Sequence, residues 1–202
     1  MPGFETTGQL LAITAVLAYL LGSVPFGVVM ARVFGLGDLR EVGSGNIGAT
    51  NVLRTGNKTA AALTLILDAG KGGIAVLLAR FFVGEDAAQI AGFFAFLGHC
   101  FPVFLRFKGG KGVATFLGTV LALAWPVGLA ACLVWLLTAA ISRYSSLSAL
   151  VAAALSPVMA VALGYPQMSA LTVLLAALIF SRHQSNMKRL MAGEEPRIGK
   201  KS

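Results

Sequence analysis

Residues 43–54 (GSGNIGATNVLR) combine small residues with side chains that can bind an anion. Successive main-chain N–H groups in such a segment can surround a phosphate, and Arg54 could add a charge-assisted hydrogen bond to it. A flexible loop with Asn and Gly at turn positions would explain the same composition, so this segment alone leaves both interpretations open. The candidate binding residues are Ser44, Gly45, Asn46, Thr50, Asn51 and Arg54.

A second segment, residues 98–115, places Lys-Gly-Gly-Lys-Gly directly before an apolar run. Glycines let the main chain approach a phosphate closely, and the start of a helix supplies free N–H groups and a positive dipole end. The spacing is not that of a P-loop, because Gly112 and not Ser or Thr follows Lys111. A basic turn would explain the lysines but not three glycines among five residues, so phosphate binding is favoured. The candidates are His99, Lys108, Gly109, Gly110, Lys111 and Gly112.

A third segment, residues 181–190, contains histidine, asparagine and basic residues. If the preceding helix continues, His183 and Asn186 share a face, and Arg182 and Arg189 recur at the same helical spacing. An amphipathic basic helix held by anionic lipid would produce the same pattern without any catalysis. On these residues alone the lipid interpretation is preferred, and His99 alone is more typical of a structural histidine near a helix end.

Asp68 and Lys71 lie three residues apart inside an apolar run, among Gly70, Gly72 and Gly73. Charges within a membrane span are costly and usually face a partner or a polar cavity. A self-neutralising structural pair is the preferred interpretation over direct catalysis. The run at residues 23–27, which contains Pro25, predicts a kink in the first span.

The elements that must position these residues are membrane helices. Hydrophobic residues make up 57% of the 202 residues and charged residues only 12%, whereas soluble domains carry about 25% charge. Apolar runs fall at 9–34, 59–83, 87–105, 112–125, 127–142, 146–163 and 167–181. The sequence therefore predicts an all-α, polytopic membrane bundle of about seven transmembrane helices. No polar linker divides it, so residues 1–202 are expected to form one domain, with a tight turn at Trp125-Pro126.

The basic residues predict the orientation of this bundle. Of sixteen Lys and Arg residues, fourteen fall in or at the ends of alternate connecting segments, which lie on one side of the membrane. The exceptions are Lys71 and Arg80, inside the second apolar run. The basic side is cytoplasmic by the positive-inside rule, so the N-terminus is expected outside, the C-terminus in the cytoplasm and all three polar segments on the cytoplasmic face. The net charge of +8 is thus explained by topology, and no nucleic-acid partner is expected. The two cysteines, Cys100 and Cys132, support no metal or disulfide site.

The three polar segments together resemble the motifs of the bacterial acyl-phosphate:glycerol-3-phosphate acyltransferases, the PlsY family. The resemblance rests on GSGNIGATNVLR (43–54), GHCFPVFLRFKGGKGVAT (98–115) and RHQSNMKRL followed by GEE (182–195). Asp38, Arg40, Asp68 and Lys71 also fit. The third motif departs from the family at Gln184, Ser185 and Met187, while His183, Asn186, Arg189 and Glu195 remain in place.

The resemblance implies acyl transfer from acyl phosphate to the sn-1 hydroxyl of glycerol 3-phosphate, giving lysophosphatidic acid, without cofactor or metal. It implies a monomer in the bacterial inner membrane that could contact the enzyme supplying acyl phosphate. His183, oriented by Asn186, is the best protein candidate for a base, although a substrate phosphate could take the proton. Lys111 or main-chain N–H groups could stabilise the oxyanion. The remaining assignments are Ser44 as catalytic, Arg189 as phosphate-binding, and Asp68, Lys71 and Glu195 as supporting.

Two other function classes are less consistent with the sequence. A transporter for phosphorylated solutes would favour inverted repeats with broken helices in matching halves, and no repeat is visible. Phosphatidyl transfer from a nucleotide-activated lipid needs an acidic metal-binding cluster, whereas the eight acidic residues here are scattered.

Overall fold

The computed structural model describes residues 6–199 and is built from α-helices, with no strand in that range. Lys200 and Lys201, which contribute to the basic tail, lie outside the described residues. The helices are α1 (Gly8–Ser23), α2 (Phe26–Val33), α3 (Ala49–Arg54), α4 (Lys58–Phe82), α5 (Glu85–Cys100), α6 (Val113–Leu123), α7 (Trp125–Ser142), α8 (Ser145–Ala162), α9 (Ser169–Arg182) and α10 (Gln184–Met191).

Five helical segments are long and apolar enough to cross a membrane. They are Gly8–Val33, Lys58–Phe82, Glu85–Leu105, Trp125–Ser142 and Ser145–Ala162, while Val113–Leu123 and Pro166–Arg182 are shorter apolar segments. The predicted all-helical, multi-pass architecture is confirmed. The seven apolar runs coincide with these seven segments, and a count of seven complete spans stays a prediction.

Both predicted breaks are present. Helix α1 ends at Ser23 and α2 begins at Phe26, because Pro25 lacks the N–H that a continuous helix would need. At the second break Ala124 has an extended main chain, with φ −149° and ψ 99°. A Cβ on Gly128 would lie 2.4 Å from the Cα of Leu121, and residues seven apart meet this closely only if the chain reverses. The break is therefore a tight turn between α6 and α7.

Small residues let the helices pack closely. A Cβ on Gly98 of α5 would lie 2.3 Å from the carbonyl oxygen of Tyr19 in α1, and one on Gly118 of α6 would lie 2.0 Å from that of Ala69 in α4. Such contacts are typical of membrane helices, where van der Waals packing drives association. The start of α6 lies beside Asp68, ten residues after the start of α4. The first ten residues of α4, roughly 15 Å of helix, therefore extend beyond the start of α6.

The polar loops divide between the two ends of the bundle. At one end Thr50 bonds Ser145 and Arg143 donates to the carbonyl of Ile198. At the other end Thr6 bonds Asp86, and Arg80 bonds Glu85 and the carbonyl of Leu123. The loops predicted to share one face therefore do meet.

Candidate active site

A cavity of about 580 Å³ opens at the end of the bundle where the basic loops meet. Its polar wall comes from loop 43–54, the start of α6, the start of α8 and the segment that follows α9. Its apolar wall continues between α4, α6 and α7. The apolar lining includes Leu65, Ala69, Leu117, Leu121, Trp135 and Leu136. One cavity thus joins anion-binding groups to a groove that suits a hydrocarbon chain.

Loop 43–54 is held by the buried side chain of Asn51. Its Oδ1 accepts from the main-chain N–H of Ser44 at 3.0 Å, from the Ser44 hydroxyl at 3.3 Å and from Nη1 of Arg54 at 3.3 Å. Its Nδ2 donates to the carbonyl of Leu39 at 2.8 Å. Asn51 therefore positions Ser44 and Arg54. It also lines the cavity, and its direct contact with substrate stays a prediction.

The other predicted residues of this loop divide into two groups. Ser44, Asn46, Thr50 and Arg54 line the cavity. Gly45 does not line it; this glycine has φ +66° and its N–H donates to the carbonyl of Val42. Its role is therefore to form the turn.

Gly109 and Gly110 of loop 106–112 pack against the protein and do not offer their N–H groups to the cavity. The N–H of Lys108 donates to the carbonyl of Leu105 at 3.1 Å, that of Gly109 to Cys100 at 3.2 Å and that of Gly110 to His99 at 3.1 Å. The prediction that the N–H groups of residues 108–110 cradle a phosphate is therefore wrong. The Lys108 side chain is exposed, and residues 108–110 are not among those lining the cavity.

The main-chain N–H groups that are free to bind an anion belong to the residues that follow, at the start of α6. Helix α6 begins at Val113, and its first intrahelical bond runs from the N–H of Phe116 to the carbonyl of Gly112 at 2.7 Å. The N–H groups of residues 113–115 therefore have no acceptor within the helix, and Gly112, Val113 and Ala114 line the cavity. A helix start in this position attracts an anion. Gly112 itself needs its φ of +79°, which favours glycine.

Lys111 places a cation beside this helix start. Its Nζ donates to Oδ1 of Asn186 at 2.6 Å, and it lines the cavity. Burial away from water lowers the pKa of Lys111 to about 8, with Glu195 opposing that shift and Arg189 and Arg54 adding to it. An ammonium group with a pKa near 8 is largely protonated at neutral pH, and neighbouring groups balance its charge only in part. It is therefore suited to bind a negative oxygen.

His183 and Asn186 both line the cavity and are buried, but they do not pair with each other. Helix α9 ends at Arg182 and α10 begins at Gln184, so the helix does not continue through His183 and the condition for a shared face with Asn186 is not met. Nδ1 of His183 lies 2.8 Å from the carbonyl of Ile179, which takes the orienting role predicted for Asn186. With Nδ1 carrying the proton, Nε2 is the acceptor. Burial lowers the pKa of His183 to about 4.

Glu195 joins the polar segments together, as predicted for a supporting residue. Its Oε1 accepts from Ser146 at 2.7 Å and from Nδ2 of Asn186 at 2.6 Å, and its Oε2 from Arg189 at 2.8 Å. Burial acts to raise the pKa of Glu195, but these hydrogen bonds outweigh it and lower the pKa. Since Arg189 is paired with Glu195 and does not line the cavity, its predicted contact with phosphate is not supported.

The charges inside the bundle form a buried group. Asp68, Lys71 and His99 are 2%, 2% and 5% exposed, and Oδ1 of Asp68 lies 2.8 Å from Nζ of Lys71. The predicted Asp68–Lys71 pair is therefore confirmed. Asp68 and His99 also line the cavity, while Lys71 does not.

Besides Lys58, which also lines the cavity, three polar residues are absent from the predicted site residues, although Arg182 belongs to the third motif. Arg182 donates to the carbonyls of Gly110 at 3.2 Å and Gly109 at 3.1 Å, and Ser145 and Ser146 line the cavity. The two serines follow Arg143 at the start of a span on the predicted basic side, which is the one signal that could have identified them. The contacts of Arg182 span more than seventy residues and leave no local signal.

The cavity of this all-helical membrane protein joins cationic groups to an apolar groove, which fits the class of membrane proteins that act on phosphorylated, lipid-like molecules. Comparison with known proteins defines the class further. The family model described as "Glycerol-3-phosphate acyltransferase" matches residues 12–193. The glycerol-3-phosphate acyltransferase of Jannaschia sp. (strain CCS1) is 71% identical over 202 residues, covering 100% of both chains. That of Cereibacter sphaeroides (strain ATCC 17025 / ATH 2.4.3) is 66% identical, covering 100% of this chain and 96% of the relative.

Solved structures agree with these relatives. The glycerol 3-phosphate form of PlsY (YgiH), an integral membrane glycerol 3-phosphate acyltransferase, is 43% identical with a TM-score of 0.88, covering 94% of this chain and 96% of that chain. Its lysophosphatidic acid form is 39% identical with a TM-score of 0.85, covering 94% and 95%. This chain belongs to the glycerol-3-phosphate acyltransferase family, and the resemblance drawn from the three motifs is confirmed.

Proposed function

We propose that the chain transfers a fatty acyl group from acyl phosphate to the sn-1 hydroxyl of glycerol 3-phosphate, giving lysophosphatidic acid and inorganic phosphate. The observation that carries this proposal is the continuity of one cavity from Arg54 and Lys111 to the apolar groove between α4, α6 and α7. Glycerol 3-phosphate and lysophosphatidic acid, named for the solved relatives, are a substrate and the product of this reaction.

The two ends of the cavity suit the two substrates. The apolar groove would hold the acyl chain, which places the acyl carbonyl and its phosphate at the start of α6, beside Lys111. Arg54, Ser44, Asn46 and Thr50, on the opposite loop, would hold the phosphate of glycerol 3-phosphate. Charge-assisted hydrogen bonds from Arg54 supply strength and geometry for that phosphate.

The reaction needs little more than this positioning. The glycerol hydroxyl oxygen attacks the acyl carbonyl carbon, and the C–O bond to phosphate breaks as the ester bond forms. Lys111 Nζ and the N–H groups at the start of α6 stabilise the oxyanion of the tetrahedral intermediate. The hydroxyl proton leaves with the departing phosphate as hydrogen phosphate, so charge and atoms balance.

The low pKa of His183 assigns it a different role from the one predicted. A base with a pKa of about 4 accepts a hydroxyl proton less readily than a phosphate whose second pKa is about 6. His183 Nε2 would instead accept a hydrogen bond from the attacking hydroxyl and orient it, while the phosphate takes the proton. Of the two bases that the sequence leaves open, we therefore favour the substrate phosphate.

We further propose that the site faces the cytoplasm of the inner membrane and that a single chain is active. All the groups invoked above come from one chain, and the basic loops that meet at the site fit a cytoplasmic face. Cysteines introduced singly at Asn57 and Gly84, in a protein with Cys100 and Cys132 replaced, would test this in intact cells. Gly84 should react with an impermeant thiol reagent and Asn57 should not; the reverse result would overturn the orientation.

The donor and the position of acylation are tested with purified protein in detergent. Labelled glycerol 3-phosphate should be converted to lysophosphatidic acid with palmitoyl phosphate but not with palmitoyl-CoA. A 2-deoxy analogue of glycerol 3-phosphate keeps the sn-1 hydroxyl and should be acylated, whereas the 1-deoxy analogue should not. Transfer from palmitoyl-CoA alone would overturn the donor, and acylation of the 1-deoxy analogue alone would overturn the position.

A further inference from the structure

A buried charged group underlies loop 106–112 and takes no part in the mechanism above. Oδ1 of Asp68 lies 2.8 Å from Nζ of Lys71 and 3.5 Å from Nδ1 of His99. Nζ of Lys71 also donates to the carbonyl of Val24 at 2.8 Å, in the break between α1 and α2. One carboxylate oxygen thus faces both an ammonium group and an imidazole ring, and the ammonium is fixed to a neighbouring helix pair.

His99 connects this group to the glycine loop. Its main-chain carbonyl accepts from the N–H of Gly110 at 3.1 Å. Its ring packs so closely that a Cβ on Gly110 would lie 2.3 Å from Nε2. Arg182 holds the loop from another side through the carbonyls of Gly109 and Gly110. Gly110 is therefore held between the His99 ring and Arg182, and Lys111 is the next residue.

Asp68 also fixes the start of α6. Its main-chain carbonyl accepts from the hydroxyl of Thr115 at 2.9 Å, in the first turn of that helix. Asp68 therefore contacts the start of α6 directly and the glycine loop through His99.

Packing alone does not require charges at this place. Replacing a buried ion pair with apolar residues of similar volume is often neutral or stabilising. The contact from Asp68 to His99 is longer than an ordinary hydrogen bond. Nδ1 of His99 has no hydrogen-bond partner within the described residues, and the Asp68 carboxylate at 3.5 Å is the acceptor that a proton on Nδ1 would face. The Nε2 side of the ring then faces Gly110.

We propose that Asp68 is a positioning residue for acyl transfer, which acts through the His99 ring to hold Gly110 and Lys111 in register with the start of α6. This proposal rests on the proposed function. Asp68 touches no reacting atom. Misplacement of Lys111 would weaken stabilisation of the oxyanion, and it would leave the opposite loop, which holds glycerol 3-phosphate, unchanged. The expected effect is therefore on kcat and not on the KM for glycerol 3-phosphate.

The test is steady-state kinetics of Asp68→Asn, His99→Asn and His99→Phe in detergent. Asp68→Asn should lower kcat by about tenfold to a hundredfold, since a 1 Å misplacement can cost about a hundredfold, with the KM for glycerol 3-phosphate changed less than about threefold. His99→Asn keeps an amide nitrogen near the position of Nδ1 and should retain more kcat than His99→Phe. Asp68→Asn combined with His99→Phe should cost little more than His99→Phe alone, because both act through the same ring.

Ser156→Ala is the matched control, because Ser156 is fully buried in α8 and bonds only a carbonyl of its own helix. Its kcat should equal that of the wild type. If Asp68→Asn does not fold, the ratio of kcat between His99→Asn and His99→Phe still decides. Equal kcat in those two variants, wild-type kcat in folded Asp68→Asn, or kcat and KM changing in parallel would overturn the positioning role. Absence of wild-type transfer from acyl phosphate would instead overturn the proposed function.

Discussion

Two glycine-rich basic loops meet at the cavity, and they use their glycines differently. In loop 43–54 the cavity is lined by side chains, and the buried amide of Asn51 holds Ser44 and Arg54 in place. In loop 106–112, Gly109 and Gly110 lie against the protein, and their N–H groups are bonded to α5 carbonyls. The second loop delivers one side chain, Lys111, and leads into the start of α6.

The comparison separates two reasons for glycine in a phosphate-binding motif. A glycine can be required because a ligand approaches the main chain, or because another part of the protein does. Gly110 belongs to the second kind: its φ is not positive, and the space that a Cβ would take is filled by His99. Gly48 in the first loop lines the cavity with ordinary clearance, since a Cβ there would lie 3.4 Å from the nearest atom.

Gly110→Ala should have the largest effect. The added Cβ would lie 2.3 Å from Nε2 of His99, so the ring and the loop must move apart and displace Lys111. We expect kcat to fall by more than about a hundredfold and the Tm in detergent to fall by a few degrees as well, as for other overpacked sites.

Two glycine variants serve as controls for this change. A Cβ on Gly70 of α4 would meet no neighbouring element of the described protein within 4 Å, and Gly48 has ordinary clearance. Gly70→Ala and Gly48→Ala should both stay within about threefold of wild-type kcat, since neither displaces a neighbour. Wild-type kcat and Tm for Gly110→Ala would show that the loop tolerates the displacement and would remove the distinction between the two loops.

Lys111→Met should have the next largest effect. Removing one donor to an oxyanion typically costs about 10²–10³-fold in kcat, and the KM for glycerol 3-phosphate should change little because that substrate is held by the opposite loop. Lys108→Met is the matched control: Lys108 lies in the same loop, is exposed and does not line the cavity. Equal losses for the two lysines would mean that the loop acts by its net charge and not by the placement of Lys111.

Local patterns predicted the fold and the composition of the site but not its internal contacts. Hydrophobic runs and alternating loop charge located the helical segments and grouped the basic loops, because both depend on residues close in sequence. The kink at Pro25 followed from the chemistry of proline, and the choice of a turn over a kink at Trp125-Pro126 followed from the alternation of loop charge. These features need no knowledge of which helices are neighbours.

The partners of individual side chains depend on that knowledge. Lys111 bonds Asn186, 75 residues away, and Arg182 bonds Gly110, 72 residues away. A shared helix face predicts that Asn186 orients His183, but the helix breaks at His183 and turns Asn186 towards Lys111. The apolar groove was missed for a related reason, since its lining from three helices is indistinguishable in sequence from residues that face lipid.

Arg54→Gln should have an effect of intermediate size, and it should act on the KM for glycerol 3-phosphate and not on kcat. A hydrogen bond to a charged group is worth about 1.5–3 kcal/mol, so the KM for glycerol 3-phosphate should rise about tenfold to a hundredfold, with little change in kcat. Arg32→Gln is the control, because Arg32 is exposed on α2 and lies outside this cavity. A fall in kcat at unchanged KM would place Arg54 with the reacting carbonyl and reverse the assignment of the two loops.

The smallest effect is a pH dependence that only Lys111 should cause. Burial lowers the pKa of Lys111 to about 8, so its cationic form is lost as the pH rises through 8. The free glycerol 3-phosphate is already a dianion there, since its second pKa is about 6, and His183, with a pKa of about 4, stays neutral. The value of kcat/KM, which reports groups of the free enzyme, should therefore fall about tenfold between pH 7 and pH 9. Lys111→Arg keeps the charge throughout this range; its activity should be lower but flat, once hydrolysis of the donor is subtracted. A wild-type profile that is flat to pH 9, or a Lys111→Arg profile that falls in parallel with it, would show that the titration of Lys111 does not cause the pH dependence.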